Sequence, residues 1–375
     1  MPAVRSVVVV GGGISGLCLA ISLERAGIEV ELLEASADGN VLGIGMALQA
    51  PALRALQGLG MLELCLEAGF PHETTTQLSL DGRILSSQPV TRALGEGYPG
   101  QLGIQRRALH QLLLEQATHL GVPVRFGVTL TSAIEDGDGM SLSLSDGSSR
   151  DCDLVVGADG AYSAMRKVLL GSDLTPEFTG QATWRIGIQR PAEVRGMTIV
   201  AGGPLSVGIN PVTESDAYIF VVENVSEKRH LPETELLARL PELLGGYGGL
   251  VAEAVAEVRD PAAIVYRPLE SLIVPAPWHT ERAILIGDAA HATTPHMAAG
   301  ALIAIQDAVV LADELARQDR VETALDNFMA RRYDRCKLLV DACRQIGEWQ
   351  KAGLVRHPEA GQLQAKVTGE LAAPL

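Results

Sequence analysis

Val7-Val8-Val9-Val10-Gly11-Gly12-Gly13-Ile14-Ser15-Gly16 is the stretch on which the fold of this chain turns. The apolar run from Ser6 to Val10 reads as a buried parallel strand. Ile14 to Ala26 has helical spacing, and Val30 to Leu33 returns to strand. Gly11, Gly13 and Gly16 carry the GxGxxG spacing directly behind the first strand. The first glycine permits a tight turn, the second lets backbone approach a pyrophosphate, and the third lets helix and strand pack closely. The helix N-terminus, with Ser15 in its first turn, then faces the phosphates. Glu34 ends the second strand about 20 residues on, where an acid accepts hydrogen bonds from adenosine ribose hydroxyls. The competing reading is a glycine turn kept for packing alone.

A second stretch lies far along the chain: Gly287-Asp288-Ala289-Ala290-His291-Ala292-Thr293-Thr294-Pro295-His296-Met297. It follows the apolar run Ala283 to Ile286 and reads as a strand end entering a helix. An Asp carboxylate there can accept from a ribitol hydroxyl, while the helix directs amides toward the electron-rich edge of a flavin. Two contacts so widely separated in sequence call for a long cofactor, which favours FAD over NAD. Between them, Leu154 to Val156 is another buried strand, and it places Asp159 and Gly160 at its carboxyl end. Alone, that Asp-Gly pair reads as a simple turn.

The other segments have a different texture. Gln77 to Leu85 contains an Asp81-Gly82 hairpin turn, and from Ala182 to Glu223 apolar residues alternate with polar ones, as in antiparallel strands. Residues 300–317 and 321–350 read as two long helices. Gly245 to Gly249 reads as a flexible loop, and the tail beyond residue 356, without strong periodicity, is expected to be loosely held. The expected fold class is α/β, with a discontinuous Rossmann-like FAD-binding domain (1–72, 98–180 and 276–375, including the C-terminal helices). An antiparallel-sheet substrate domain (73–97 and 181–275) is inserted into it.

Composition narrows the function classes. The 375 residues, 47% hydrophobic and 20% charged, suit a soluble two-domain protein. A formal net charge of -15 without a dense Lys/Arg cluster argues against nucleic acid or an anionic membrane as partner. Five scattered cysteines with no CxxC pair suggest reduced thiols and a cytoplasmic location. The Val7–Val10 run is too short for a signal-peptide core, and no apolar run reaches the roughly 20 residues of a spanning helix. A monomer or homodimer is expected.

With these motifs in place, the chain resembles the single-component FAD-dependent aromatic hydroxylases, the p-hydroxybenzoate hydroxylase-like family, over nearly its whole length. The stretch Thr294-Pro295-His296-Met297-Ala298-Ala299-Gly300-Ala301 is most similar to the subgroup of salicylate hydroxylase and 6-hydroxynicotinate 3-monooxygenase. The resemblance implies that Gly11, Gly13, Gly16 and Glu34 bind the ADP moiety, and that Arg106 contacts the pyrophosphate region. It likewise implies that Asp159 belongs to a motif shared between FAD and transient nicotinamide binding, that Asp288 holds the ribitol, and that Gly300 and Ala301 adjoin the flavin. The implied reaction uses NADH or NADPH as transient co-substrate. Dioxygen then gives a flavin C4a-hydroperoxide that hydroxylates a small aromatic or N-heteroaromatic ring. The sequence departs from the family pattern at Ala298-Ala299-Gly300 in place of Gly-Gln-Gly, at Leu302 in place of Asn, at Gln306-Asp307-Ala308 in place of Glu-Asp-Ala, and at Ala50-Pro51 in place of Pro-Asn.

Electrophilic hydroxylation needs an electron-rich ring, so a base or relay should lie beside it. Tyr218 and His296 are the candidates, each with a bland alternative: a core tyrosine with a satisfied hydroxyl, and a capping or surface histidine. Gln49, Arg185 and Pro295 complete the expected substrate wall. Arg185 could hold a carboxylate bidentately or pair with a structural acid. His72 and His291 read as structural. Two other functions fit the same residues: a flavin dehydrogenase or oxidase of the same fold that does not hydroxylate, and a flavin redox sensor without turnover.

Overall fold

The computed structural model describes all residues except 1, 38, 40–42, 93 and 356. Ser6–Val10 lies at the centre of a five-stranded, wholly parallel sheet in the order Ala283–Leu285, Leu154–Gly157, Ser6–Val10, Glu29–Glu34, Val124–Phe126. Val7 to Val10 are all buried, as an all-parallel sheet covered on both faces requires. The helix Ile14–Arg25 follows the glycine turn and packs against the long helix Gly300–Arg317. Every motif residue singled out on this sheet therefore falls at its carboxyl edge, where ligands of such folds bind.

The second large element is a seven-stranded sheet, in the order Ile264–Ser271, Glu177–Gln189, Asp216–Asn224, Ser206–Pro211, Met197–Val200, Thr74–Leu78, Ile84–Pro89. Its neighbours run antiparallel except Met197–Val200 and Thr74–Leu78, which are parallel. This one parallel pair differs from the antiparallel expectation, because a distant segment joins an edge that no hairpin could reach. One face of the sheet buries Trp184, Ile186, Ile219 and Val221 against the helix Glu233–Leu244, making a core separate from the one around Ser6–Val10. The other face carries Arg185, Tyr218, Phe220 and Asn210, by the alternation of the strands and the registers Arg185↔Phe220 and Asn210↔Tyr218.

A three-stranded sheet, Gly45–Gln49, Gln101–Gln105 and Phe70–His72, lies between the two large ones. Contact there is close: a Cβ added at Gly103 would sit 1.7 Å from Pro211 O, and one at Gly45 would sit 2.9 Å from Tyr218 Cδ1. A meander of Leu130–Asp136, Gly139–Leu144 and Ser149–Cys152 completes the sheets. Among the described residues no helix is long and apolar enough to cross a membrane.

Two local expectations change. Gly248 and Gly249 serve close approach: the Gly248 N–H donates to Leu80 O at 2.7 Å, and a Cβ at Gly249 would lie 2.8 Å from Gly82 Cα. The tail is also structured, as the helix Ala360–Ala372, which buries Val367 and Leu371 and receives the Gln306 Nε2–H bond at Leu371 O, 3.0 Å. Only two residues of that helix are buried, too few to raise a readable period. Leu371→Ala should lower the unfolding free energy by about 2–4 kcal/mol, seen as a lower urea midpoint with unchanged slope.

Candidate cofactor and substrate site

The glycine turn is built by steric necessity. Gly11 has φ +113°, and a Cβ there would lie 2.4 Å from Ala158 O; one on Gly16 would lie 1.9 Å from Gly11 O. Gly13 is different, because an added Cβ would meet nothing within 4 Å, so this glycine opens a cradle. Gly12 is held from both sides, its N–H donating to Glu34 Oε2 at 2.7 Å and its carbonyl meeting His110 Nε2 at 2.8 Å. The second Glu34 oxygen accepts from Ser36 N at 2.7 Å.

Two side-chain groups near this turn lack internal partners. Ser15 Oγ is buried and unpaired, and it stands where a Cβ on Gly287 would come within 2.7 Å. Arg106 Nε at the start of the helix Arg106–His119 is likewise buried and unpaired. Burial lowers the Arg106 pKa, Asp288 opposes this, and the like charges of Arg185 and Arg267 add to it. Asp288 is reached by solvent at the mouth of the cleft, yet enough protein surrounds it that desolvation raises its carboxyl pKa, against the pull of His291 and Arg106. Unpaired donors around a glycine cradle, with one acid beyond them, fit a pyrophosphate and a polyhydroxylated chain.

Asp159 is placed differently. Its carboxylate accepts from Ser163 Oγ at 2.5 Å and from Met165 N at 3.1 Å, so it braces the start of the helix Met165–Leu170. Arg166, buried beside it, donates to Ala289 O at 3.1 Å and so ties this turn to the one after Asp288.

On the sheet side, Tyr218 is 4% exposed and its ring packs against Gly45, with the Arg185 guanidinium carbon 5.9 Å from the ring centroid. Burial raises the Tyr218 pKa, while Arg185 and the Asn210 amide act against it. The hydroxyl therefore stays protonated at neutral pH. Among the described residues Arg185 makes no hydrogen bond or ion pair, so the structural-acid alternative finds no partner here. Gln49 donates from Nε2 to Met297 O at 2.8 Å, joining the middle sheet to the turn Pro295–Met297. His296 has both ring nitrogens engaged, Nδ1 with Thr294 Oγ1 at 2.7 Å and Nε2 with Gln350 Oε1 at 3.2 Å. Burial takes its pKa down to about 4, so it is neutral through the physiological range.

Gly300 begins the helix Gly300–Arg317 with no capping side chain, Ala301 following half-buried. Ala298, standing where the family pattern has glycine, keeps a left-handed φ of +50°.

A family model described as FAD binding domain matches residues 5–343. The chain belongs to that family. It is 32% identical over 335 residues to the putative FAD-dependent monooxygenase YetM of Bacillus subtilis (strain 168), covering 88% of this chain and 90% of that protein. It is 31% identical over 355 residues to 2-heptyl-3-hydroxy-4(1H)-quinolone synthase of Pseudomonas aeruginosa, covering 92% and 90%. The structure of Klebsiella pneumoniae HpxO complexed with FAD and uric acid shares the fold, with TM-score 0.84 at 24% identity over 99% of this chain and 93% of that one. FAD is thus the cofactor, the relatives are FAD-dependent monooxygenases, and the α/β fold expected from the glycine motif is the one adopted.

Three residues of this FAD-binding chain were not singled out from sequence. Asn210, fully buried beside Tyr218 with Oδ1 unpaired, and Arg267, two strands away on the same face, become visible only through strand register. Asp307 stood in the sequence only as part of a departure from pattern; it is completely buried and accepts the Gly287 N–H at 2.9 Å.

The two kinds of glycine separate by experiment. Gly16→Ala should abolish the folded protein, whereas Gly13→Ala should leave apo-protein melting within about 1 kcal/mol of the parent and weaken FAD binding at least tenfold by fluorescence titration. Protonation supplies another test. His72, 3% exposed, and His296 both have folded pKa values near 4, below the ordinary 6.5. The unfolded chain binds more protons between these values, so their stabilising share is full above pH 6.5 and declines as pH falls toward 4, on the order of 3 kcal/mol for a histidine as buried as His72. Urea titrations between pH 7 and 4 should show a shallower decline for His72→Gln and for His296→Gln.

Proposed function

We propose that this protein is a cytoplasmic FAD-dependent monooxygenase, monomeric or homodimeric, that hydroxylates a small aromatic or N-heteroaromatic ring with dioxygen and NADH or NADPH. Residues 1–72, 98–180 and 276–375 form its FAD-binding domain, and 73–97 with 181–275 its substrate domain. The separate apolar cores of the two large sheets support this division. Five free, buried cysteines support the reducing compartment.

The bound flavin supplies electrons taken from the nicotinamide and an electrophilic oxygen atom derived from dioxygen. Gly11, Gly13, Ser15 and Gly16 seat its pyrophosphate together with Arg106, while Glu34 and Asp288 take the ribose and ribityl hydroxyls. Gly300 and Ala301 offer backbone N–H groups to the ring. Asp159, its carboxylate engaged within the chain, shapes this edge through its own turn.

The substrate ring lies between the turn Pro295–Met297 and the polar face of the seven-stranded sheet. The observation that carries this reading is Arg185, a half-buried guanidinium without an acid partner among the described residues, 5.9 Å from the Tyr218 ring centroid and on the sheet face that carries Asn210 with its unpaired oxygen. A positive charge there lowers the pKa of a bound ring hydroxyl, making the ring the better nucleophile, or holds a ring carboxylate in register. Tyr218, kept protonated by burial, donates to the same oxygen and can relay its proton. Gln49 and His296 hold the opposite wall in place, Gln49 through Met297 and His296 through Thr294 and Gln350.

The test is anaerobic reduction of the bound flavin by NADH and by NADPH, with and without hydroxybenzoates, aminobenzoates, hydroxypyridines and quinolones. One ring should accelerate bleaching by orders of magnitude and, in air, yield a product heavier by one oxygen atom. Equal bleaching without any ring, and no oxygenated product, moves the dehydrogenase or oxidase reading ahead. With the active ring, Arg185→Ala should lower kcat/KM by about 10²-fold, and Tyr218→Phe should shift the pH profile of kcat.

A further inference from the structure

The short helix Asp288–His291 exposes Asp288 at the cleft while Ala289, Ala290 and His291 are completely buried. The turn's own backbone bonds are two, from Ala290 N and His291 N to Gly287 O, both at 2.9 Å. A single buried carboxylate clamps both its ends: Asp307 Oδ2 accepts the Gly287 N–H at 2.9 Å and meets His291 Nε2 at 2.5 Å. Its other oxygen accepts from Arg332 Nε at 2.8 Å. Arg332 is in turn spent on Gln306 Oε1 at 3.0 Å, Ile303 O at 3.2 Å and the Cys336 sulfur at 3.5 Å. Gln306 continues the chain of contacts to the tail helix through Leu371 O. Asp307, Arg332, His291 and Cys336 are all 0% exposed.

By residue type His291, Asp307 and Cys336 would suit a metal, since their donor atoms lie within 4.8 Å of one another. Their occupancy argues otherwise. Both carboxylate oxygens already accept from N–H donors, and a guanidinium, itself a cation, lies on the carboxylate and the sulfur. Burial alone would neutralise Asp307, but His291 and Arg332 hold its pKa down to about 2, so the clamp is ionised at any working pH.

We propose that Asp307 is a positioning residue for the cofactor, acting through the Gly287–Asp288 turn: by gripping both ends of that turn it presents the Asp288 carboxylate to the ribityl hydroxyls of FAD before FAD arrives. This rests on the assignment of Asp288 to the ribityl chain. A buried ion pair contributes little net stability compared with apolar packing, and what this one supplies is geometry, since one carboxylate holds both ends of the turn.

The experiment is a double-mutant cycle read as FAD affinity of the apo-protein, with apo-protein melting recorded alongside. Asp288→Asn alone should weaken FAD binding at least tenfold, and an unchanged affinity sinks the assignment of Asp288 itself. Asp307→Asn should weaken binding comparably in the parent but by less than threefold in the Asp288→Asn background, because the positioned group is already gone. If the two losses multiply instead, Asp307 acts on the fold and the proposal fails. His291→Gln, which keeps a donor toward Asp307 and spares the Arg332 contact, runs through the same cycle. It gives the same reading, with a smaller loss, should Asp307→Asn not fold.

Discussion

Backbone pressed against backbone at Gly11 and Gly16 is the constraint on which the remaining architecture depends. With Cβ positions there only 2.4 Å and 1.9 Å from carbonyl oxygens, no other residue lets the strand Ser6–Val10 turn directly into the helix Ile14–Arg25 while touching the turn after Leu154–Gly157. The ladder continues through these turns, from Gly11 N to Leu33 O and from Ala158 N to Val10 O. That continuity brings Gly13, Glu34, Asp159 and Asp288, spread over most of the sequence, to one edge. The long helix Gly300–Arg317 packs on the helix Ile14–Arg25 and, through Asp307, fixes the last of these turns.

Charge is distributed against the average of the molecule. The chain carries a formal -15, yet Arg106, Arg185 and Arg267 converge on the cleft with Asp288 as the acid that acts on Arg106. Many arginines elsewhere are consumed by carboxylates, as in Arg125 with Glu31 and Asp146, or Arg331 with Asp313 and Glu314. An acidic surface around a basic cleft focuses the field and directs anions inward. FAD, with its pyrophosphate, is such an anion.

Much of this was legible in the sequence where chemistry and local structure coincide. The glycine spacing, the acid ending the second strand and the Gly-Asp pair after the last strand announce themselves because each is a short-range pattern with a steric or electrostatic cause. The long helices are legible for the same reason, since their periods are sustained. What sequence hid depends on pairing between distant segments. Arg267 shares a face with Arg185 only because Thr183 is opposite Arg267, and Asn210 meets Tyr218 only through strand register. The parallel edge joining Thr74–Leu78 to Met197–Val200 bridges more than a hundred residues, so no turn residue marks it. His296 was visible as a polar residue in the flavin-facing turn, whereas its bond to Gln350 required the long helix to be in place.

The departures from the family pattern then acquire a physical sense. Ala298 holds the left-handed φ of +50° that glycine would take at no cost, a conformation worth roughly 1–2 kcal/mol of strain for an alanine. Ala299 and Leu302 are buried, so the methyl and isobutyl groups that replace the usual polar side chains enter the core. Between them the helix Gly300–Arg317 starts without a side-chain cap, leaving its first N–H groups to be satisfied from outside the helix. Donors that belong to the backbone survive every substitution except one by proline. This segment can therefore lose its polar side chains and still present hydrogen-bond donors at the helix start, provided the strained turn holds that start in place. The turn is fastened through Met297 O to Gln49 and through His296 to Gln350, which is where the strain at Ala298 is opposed.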